Sequence, residues 1–147
     1  MTAIKQHSPH VWSQDAITAY LHQMRIPLRL AAVTRTGWPL VVSLWYLYEN
    51  GRLYCATQNT AKIVTHLGRE PRCAFEVATD QPPYRGVRGQ GKAHISPRRG
   101  TEILTRLLER YLGGTSSSLA KRLLARSVDE VVIEIEPIAF TVSLWEG

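Results

Sequence analysis

Apolar residues Ile17, Tyr20, Leu21 and Met24 recur at helical spacing across residues 13–25, behind Ser13 in a capping position. Pro27 stops that predicted helix. Residues 28–36 then read as a strand, and Gly37-Trp38-Pro39 turns the chain back. Residues 40–48 (LVVSLWYLY) form an apolar and aromatic run, read as one strand too continuous to be half exposed. Asn50-Gly51, whose residues tolerate positive φ, predicts a hairpin into a return strand over 52–57. Three strands joined by tight turns make an antiparallel meander.

The period then changes. Residues 60–68 predict a short helix, capped by Thr60 and ended by Gly68. Residues 72–78 return to strand character. A longer strand over 84–95 carries Gly86, Gly89 and Gly91, as expected where a sheet bends or bulges into a barrel. Ser96-Pro97 predicts the start of a helix with an apolar face of Ile103, Leu104, Leu107, Leu108 and Tyr111, ended by Gly113-Gly114. A second helix is expected over 117–126. The final strand, 131–145, alternates, and Pro137 marks an edge or a bulge in it. About six strands and four helices, joined mostly as hairpins, predict an α+β fold with a closed or nearly closed antiparallel barrel.

Composition narrows the function classes. The 147 residues are expected to form one domain, 1–147, and a hydrophobic fraction of 44% is enough for a core without staples. Cys55 and Cys73 have no metal-type spacing and read as reduced, buried thiols. No run approaches the ~18 apolar residues of a bilayer helix, and the N-terminal residues lack signal-peptide character, so a cytoplasmic protein without membrane partners is expected. The net charge of +6 would suit an anionic partner. Its cations are spread over amphipathic helices (Arg98, Arg99, Arg106, Arg110, Lys121, Arg122, Arg126), which disfavours nucleic acid. His7, His10, His22, His66 and His94 show no metal-ligand pattern beyond the weak His7/His10 pair, and no metal is expected. No phosphate-loop, dinucleotide or nucleophile-elbow motif occurs.

The most informative stretch is 53–67 (LYCATQNTAKIVTHL), a strand, a polar loop and a helix start. A helix start presents unpaired N–H groups and the positive end of the helix dipole, where acidic residues belong. Lys62 stands there instead, and no acidic residue occurs before Glu70. A lysine, free amides and the Thr57 and Thr60 hydroxyls make a compact anion site, suited to a phosphate. The competing reading is a solvated lysine, tolerated at roughly a few tenths of a kcal/mol. Trp45, Tyr46, Tyr48 and Trp145 would offer planar surface to a nucleotide or flavin; core packing is the alternative for each.

The run PLVVSLWYLYENGRLYCATQNTAKIVTHLGREPRCAFEV, continued by YRGVRGQGKAHI, resembles the pyridoxamine 5'-phosphate oxidase-like, FMN-binding split-barrel superfamily. The resemblance rests on the order of its parts: Gly-x-Pro, Leu-Trp-Tyr, Asn-Gly, Thr-x-x-Thr-x-Lys, Glu-Pro-Arg, then a Gly-x-Ala strand. It implies a six-stranded antiparallel split β-barrel with flanking helices, forming a homodimer with FMN between the subunits. It also implies that Thr60, Ala61 and Lys62 form the phosphate corner, with Lys62 its main cation. Val42, Ser43, Leu44 and Trp45 would line the isoalloxazine ring by their backbone, and Ala56 and Thr57 would meet the ribityl phosphate.

The chain departs from the authentic oxidase in several places. Leu40 and Trp45 stand where that enzyme has Arg and Lys, Ala61 replaces a second basic residue, and the substrate-gripping Arg-x-His segment is missing from 143–147. The expected function is therefore an FMN-dependent oxidoreductase of another small-molecule redox substrate, with NAD(P)H a candidate, and Arg35, Arg85 or Arg88 compensating for lost cations. The alternative is a non-catalytic flavin, deazaflavin or haem protein, with His66 or His94 as candidate haem ligands.

Overall fold

The computed structural model describes residues 12–145, and the side chains of residues 12–140. Helix α1 (Gln14–Gln23) starts where its cap predicts: Ser13 Oγ accepts from the Ala16 amide at 3.1 Å, and Ile17, Tyr20 and Leu21 are buried. The hairpin β1 (Leu28–Val33) and β2 (Pro39–Leu44) pairs from Leu28↔Leu44 to Val33↔Pro39. Strand β1 is shorter than expected because its last residues form the turn. The Thr34 amide donates to the Trp38 carbonyl at 3.0 Å, and Gly37 takes φ 87°, which favours glycine.

The apolar run 40–48 is not one strand. β2 ends at Leu44, and β3 (Leu47–Glu49) lies at the opposite edge of the sheet. The break has a cause at Tyr46, which is fully buried. Its hydroxyl donates to the Leu21 and Met24 carbonyls at 2.7 and 3.0 Å, and its amide donates to the Tyr111 hydroxyl at 3.3 Å. A backbone amide tied to a side chain leaves no ladder bond to make.

The chain continues through β4 (Arg52–Gln58), α2 (Lys62–Arg69), β5 (Arg72–Ala78), β6 (Tyr84–Ser96), α3 (Gly100–Leu112), α4 (Ser118–Ala125), a short 3-10 turn (Ser127–Asp129) and β7 (Glu130–Trp145). The described sheet has seven strands, not six, in the order β2-β1-β5-β6-β7-β4-β3, every pairing antiparallel. It curls far enough for β2 to meet β4, making a half barrel. Leu30, Leu53, Phe75, Val87, Ile133 and Phe140 fill its interior with the buried faces of α1 and α2. On the outside, Ile103 and Leu107 of α3 pack on Leu47 and Val132.

The glycines of β6 act as expected. A Cβ on Gly89 would lie 2.2 Å from the Ala139 carbonyl oxygen, so only glycine lets the two strands approach. The β6–β7 register steps from Gln90↔Ala139 to Gly91↔Pro137, which places Pro137 at a bulge in an interior strand rather than at an edge.

Three helix boundaries differ from expectation. Ala61, not Thr60, occupies the N-cap of α2, and Gly68 lies inside that helix, which runs on to Arg69. Ser96-Pro97 does not open α3: Ser96 Oγ accepts from the Arg98 amide at 3.1 Å, and Gly100 starts the helix against the Glu130 backbone. The C-terminal stop at Gly113, φ 74°, is as predicted. No helix among the described residues is long and apolar enough to cross a membrane.

Candidate functional site

The curl of the sheet leaves a seam with two open backbone edges. β2 pairs only with β1, so alternate N–H and C=O groups of Val42, Ser43 and Leu44 point away from the sheet. β4 pairs with β7 along its length, but β3 covers it only as far as Tyr54. Ala56 and Thr57 therefore form the other lip. Helix α2 starts just beyond, with Lys62 as its first residue, exposed to solvent. No side chain caps its first turn and no acidic residue lies in it. Among the described residues no ion pair engages Lys62. The first-turn amides, the helix dipole and a lysine as the first helical residue thus place the same sign of charge at one end of α2, which favours an anion.

The aromatic residues go elsewhere. Trp45 stacks on Tyr111, with ring centroids 5.1 Å apart and planes 8° from parallel, and packs with Ala56 against α3 and α4. Tyr46 and Tyr48 are buried in the core. Packing therefore accounts for all three rings. The side chain of Trp145 lies outside those described.

Strand β2 joins the seam to a second feature. Its outward residues Pro39, Val41 and Ser43 are exposed while the alternate ones are half-buried. Val41 lines a hollow of ≈ 620 Å³ on the outer face of the sheet, with Arg29, Glu76, Arg88 and Gln90. Arg29 donates to Ser43 Oγ at 3.0 Å, and Arg88 pairs with Glu76 at 3.2 Å. A neighbouring hollow of ≈ 460 Å³ extends the groove past Gln90 to Val33 and Pro39. None of Thr57, Thr60, Ala61 or Lys62 lines either hollow.

Solved structures with this arrangement of strands and helices are known. A conserved hypothetical protein of Mycobacterium tuberculosis superposes with a TM-score of 0.78 at 24% identity, over 97% of this chain and 89% of its own. An F420 reductase matches with a TM-score of 0.70 at 24% identity, over 82% and 93%. A protein of Listeria innocua assigned as a pyridoxamine 5'-phosphate oxidase matches with a TM-score of 0.66 at 19% identity, over 87% and 95%. The fold is the pyridoxamine 5'-phosphate oxidase-like split barrel. No protein-family model matches the sequence, and neither does any curated protein. At these identities the likeness is one of fold.

In this split barrel the turn that leads into α2 is held by residues that sequence periodicity did not single out. Gln58 Nε2 donates to Glu130 Oε1 at 2.8 Å and to the Arg126 carbonyl at 3.2 Å, and the Asn59 amide donates to the Asp129 carbonyl at 2.9 Å. Burial raises the pKa of the Glu130 carboxyl, against the bond from Gln58 and the charge of Arg126. Glu130 is the first of three glutamates in β7, with Glu134 and Glu136, and no sequence signal set it apart from them. Burial also pushes the thiols of Cys55 and Cys73 up to about 12 and 11. Both are free, buried and protonated at neutral pH, as the sequence implied. Among the described residues no group of three His, Cys, Asp or Glu side chains could hold a metal. His66 is half-buried on α2, and His94 is exposed on β6, 3.9 Å from Glu136.

Proposed function

We propose that the chain binds FMN and acts as a flavin-dependent oxidoreductase on a small molecule, working as a homodimer. The observation that carries this reading is the uncapped first turn of α2, with Lys62 at its head, directly after the end of β4 that β3 leaves uncovered. The donor set is anion-binding in kind: main-chain amides, one ammonium and the Thr57 and Thr60 hydroxyls. Lys62 and the amides would neutralise the cofactor's phosphate, with Ala61 holding the turn at its cap position. The outward-facing backbone groups among Val42, Ser43, Leu44 and Trp45 would bond the polar rim of the ring, and Ala56 and Thr57 would border the chain between. When bound, the flavin supplies hydride transfer, and the protein's part is to bind and orient it and to exclude water. Hydride transfer to a flavin needs no side-chain acid or base, and none is assigned.

The outer face supports the dimer reading. Val41 is 62% exposed, Trp38 76% and Val33 41%, beside the hollow that Arg29 and Arg88 border. A second copy would cover this apolar surface and shield the cofactor.

The decisive measurement is the visible absorbance spectrum of the purified protein, followed by titration with FMN. The expected result is a flavin spectrum, or saturable uptake of FMN. A colourless protein that takes up neither FMN nor a deazaflavin would overturn the reading. A deazaflavin spectrum instead would redirect it toward the cofactor of the structurally similar F420 reductase. Steady reduction by NAD(P)H would then separate an enzyme from a carrier.

A further inference from the structure

We propose that Glu130, acting through Gln58, is a positioning residue for the phosphate-gripping turn between β4 and α2; this rests on the FMN reading above. The turn is closed by one internal bond, from the Ala61 amide to the Gln58 carbonyl at 3.0 Å. Whatever fixes Gln58 therefore fixes the directions of the amides that follow it. Gln58 and Glu130 face each other across the β4–β7 ladder, which puts their side chains on one face of the sheet. Their bond is 2.8 Å long, and the same Gln58 nitrogen reaches the Arg126 carbonyl at 3.2 Å. The Asn59 amide is held by the Asp129 carbonyl, one residue before Glu130. The segment leaving α4 thus grips the turn at two successive residues.

The choice of glutamate argues that this grip has a use. Glu130 is 6% exposed, and its Oε2 is buried without a hydrogen-bond partner among the described residues. A buried carboxylate with one oxygen unpaired costs stability that an apolar residue at the same strand position would not. An unpartnered buried polar group in a folded protein calls for an explanation, and fixing the turn is one. The glycine at the start of α3 fits the same reading. A Cβ on Gly100 would lie 2.3 Å from the Glu130 carbonyl oxygen, so the helix closes tightly over the residue. Arg126 is the charged neighbour that acts on Glu130.

The test compares FMN with riboflavin, which lacks the phosphate, by fluorescence titration of the full chain. Glu130→Ala should weaken FMN binding about tenfold and leave riboflavin binding unchanged, the size expected of a lost oriented donor set. Glu130→Gln, which keeps an oxygen facing Gln58, should restore most of the affinity. Gln58→Ala should reproduce the loss, and the double variant should lose no more than either single one. If Glu130→Ala fails to fold, as circular dichroism would show, Gln58→Ala carries the same comparison. Equal losses for FMN and riboflavin, or none, would overturn the positioning role while the FMN reading stands. If the native protein shows no preference for FMN over riboflavin, the phosphate site itself fails and this role falls with it.

Discussion

Lys62 and Glu130 place opposite demands on the turn they flank. Lys62 is exposed and costs little where it stands, so its removal should be felt only by a ligand. Lys62→Ala is expected to lower FMN affinity about tenfold or more, the loss of a charge-assisted bond, with little change in thermal stability. An unchanged dissociation constant would show the phosphate corner is misassigned. Glu130 is the converse case. Its folded pKa lies above that of the unfolded chain, so the native state holds a proton to higher pH. Its contribution to stability is present at low pH and lost as pH rises through the folded pKa. Glu130→Gln should therefore gain in melting temperature relative to the native protein between acid and neutral pH. A difference that does not change with pH would refute this. Arg110 matters in another way: its guanidinium donates to the Leu21, His22 and Met24 carbonyls at the end of α1 and lies over the Tyr46 and Tyr111 rings.

At the scale of the elements, the caps separate what is local from what is not. Ser13 accepts an amide bond at 3.1 Å in the capping position its sequence context predicts, and Ser117, read from the sequence only as the first residue of a helix, accepts one at 3.1 Å as its cap. Thr60 has the same chemistry and caps nothing, because the Gln58–Ala61 turn leaves it one residue ahead of the N-cap, Ala61. Ser13→Ala should cost about 1 kcal/mol in chemical denaturation, whereas Thr60→Ala should cost almost nothing. Equal costs would place Thr60 in a cap after all. Strand β6 has a stricter requirement. Gly89→Ala drives a methyl into the Ala139 carbonyl and the Phe75 ring, 2.2 and 2.7 Å away. The expected loss is about 1–3 kcal/mol, the usual cost of overpacking a well-packed core.

For the whole molecule, the consequential event is the crossing at Trp45-Tyr46 that takes the chain from one sheet edge to the other. It leaves β2 open on one side and exposes Val41 and Trp38 on the other. Val41→Glu is expected to shift the protein from dimer toward monomer in light scattering and to weaken FMN uptake with it. A native protein that is monomeric at every concentration would remove the basis for a shared site.

The alternation of apolar residues, the Ser13 cap, the Asn50-Gly51 hairpin and the β6 glycines were legible in the sequence because each acts within a few residues of itself. The α+β class and the hairpin order followed from them. The break in the run 40–48 was not legible, since no local preference separates Leu44 from Leu47. It is decided by Tyr46 reaching carbonyls more than twenty residues earlier. The same holds for Glu130, the first residue of an alternating strand, whose partner, Gln58, is brought to it only by sheet pairing. Chain-local energetics selected the elements; burial and long-range hydrogen bonding chose which edges stay open, and so where a ligand can enter.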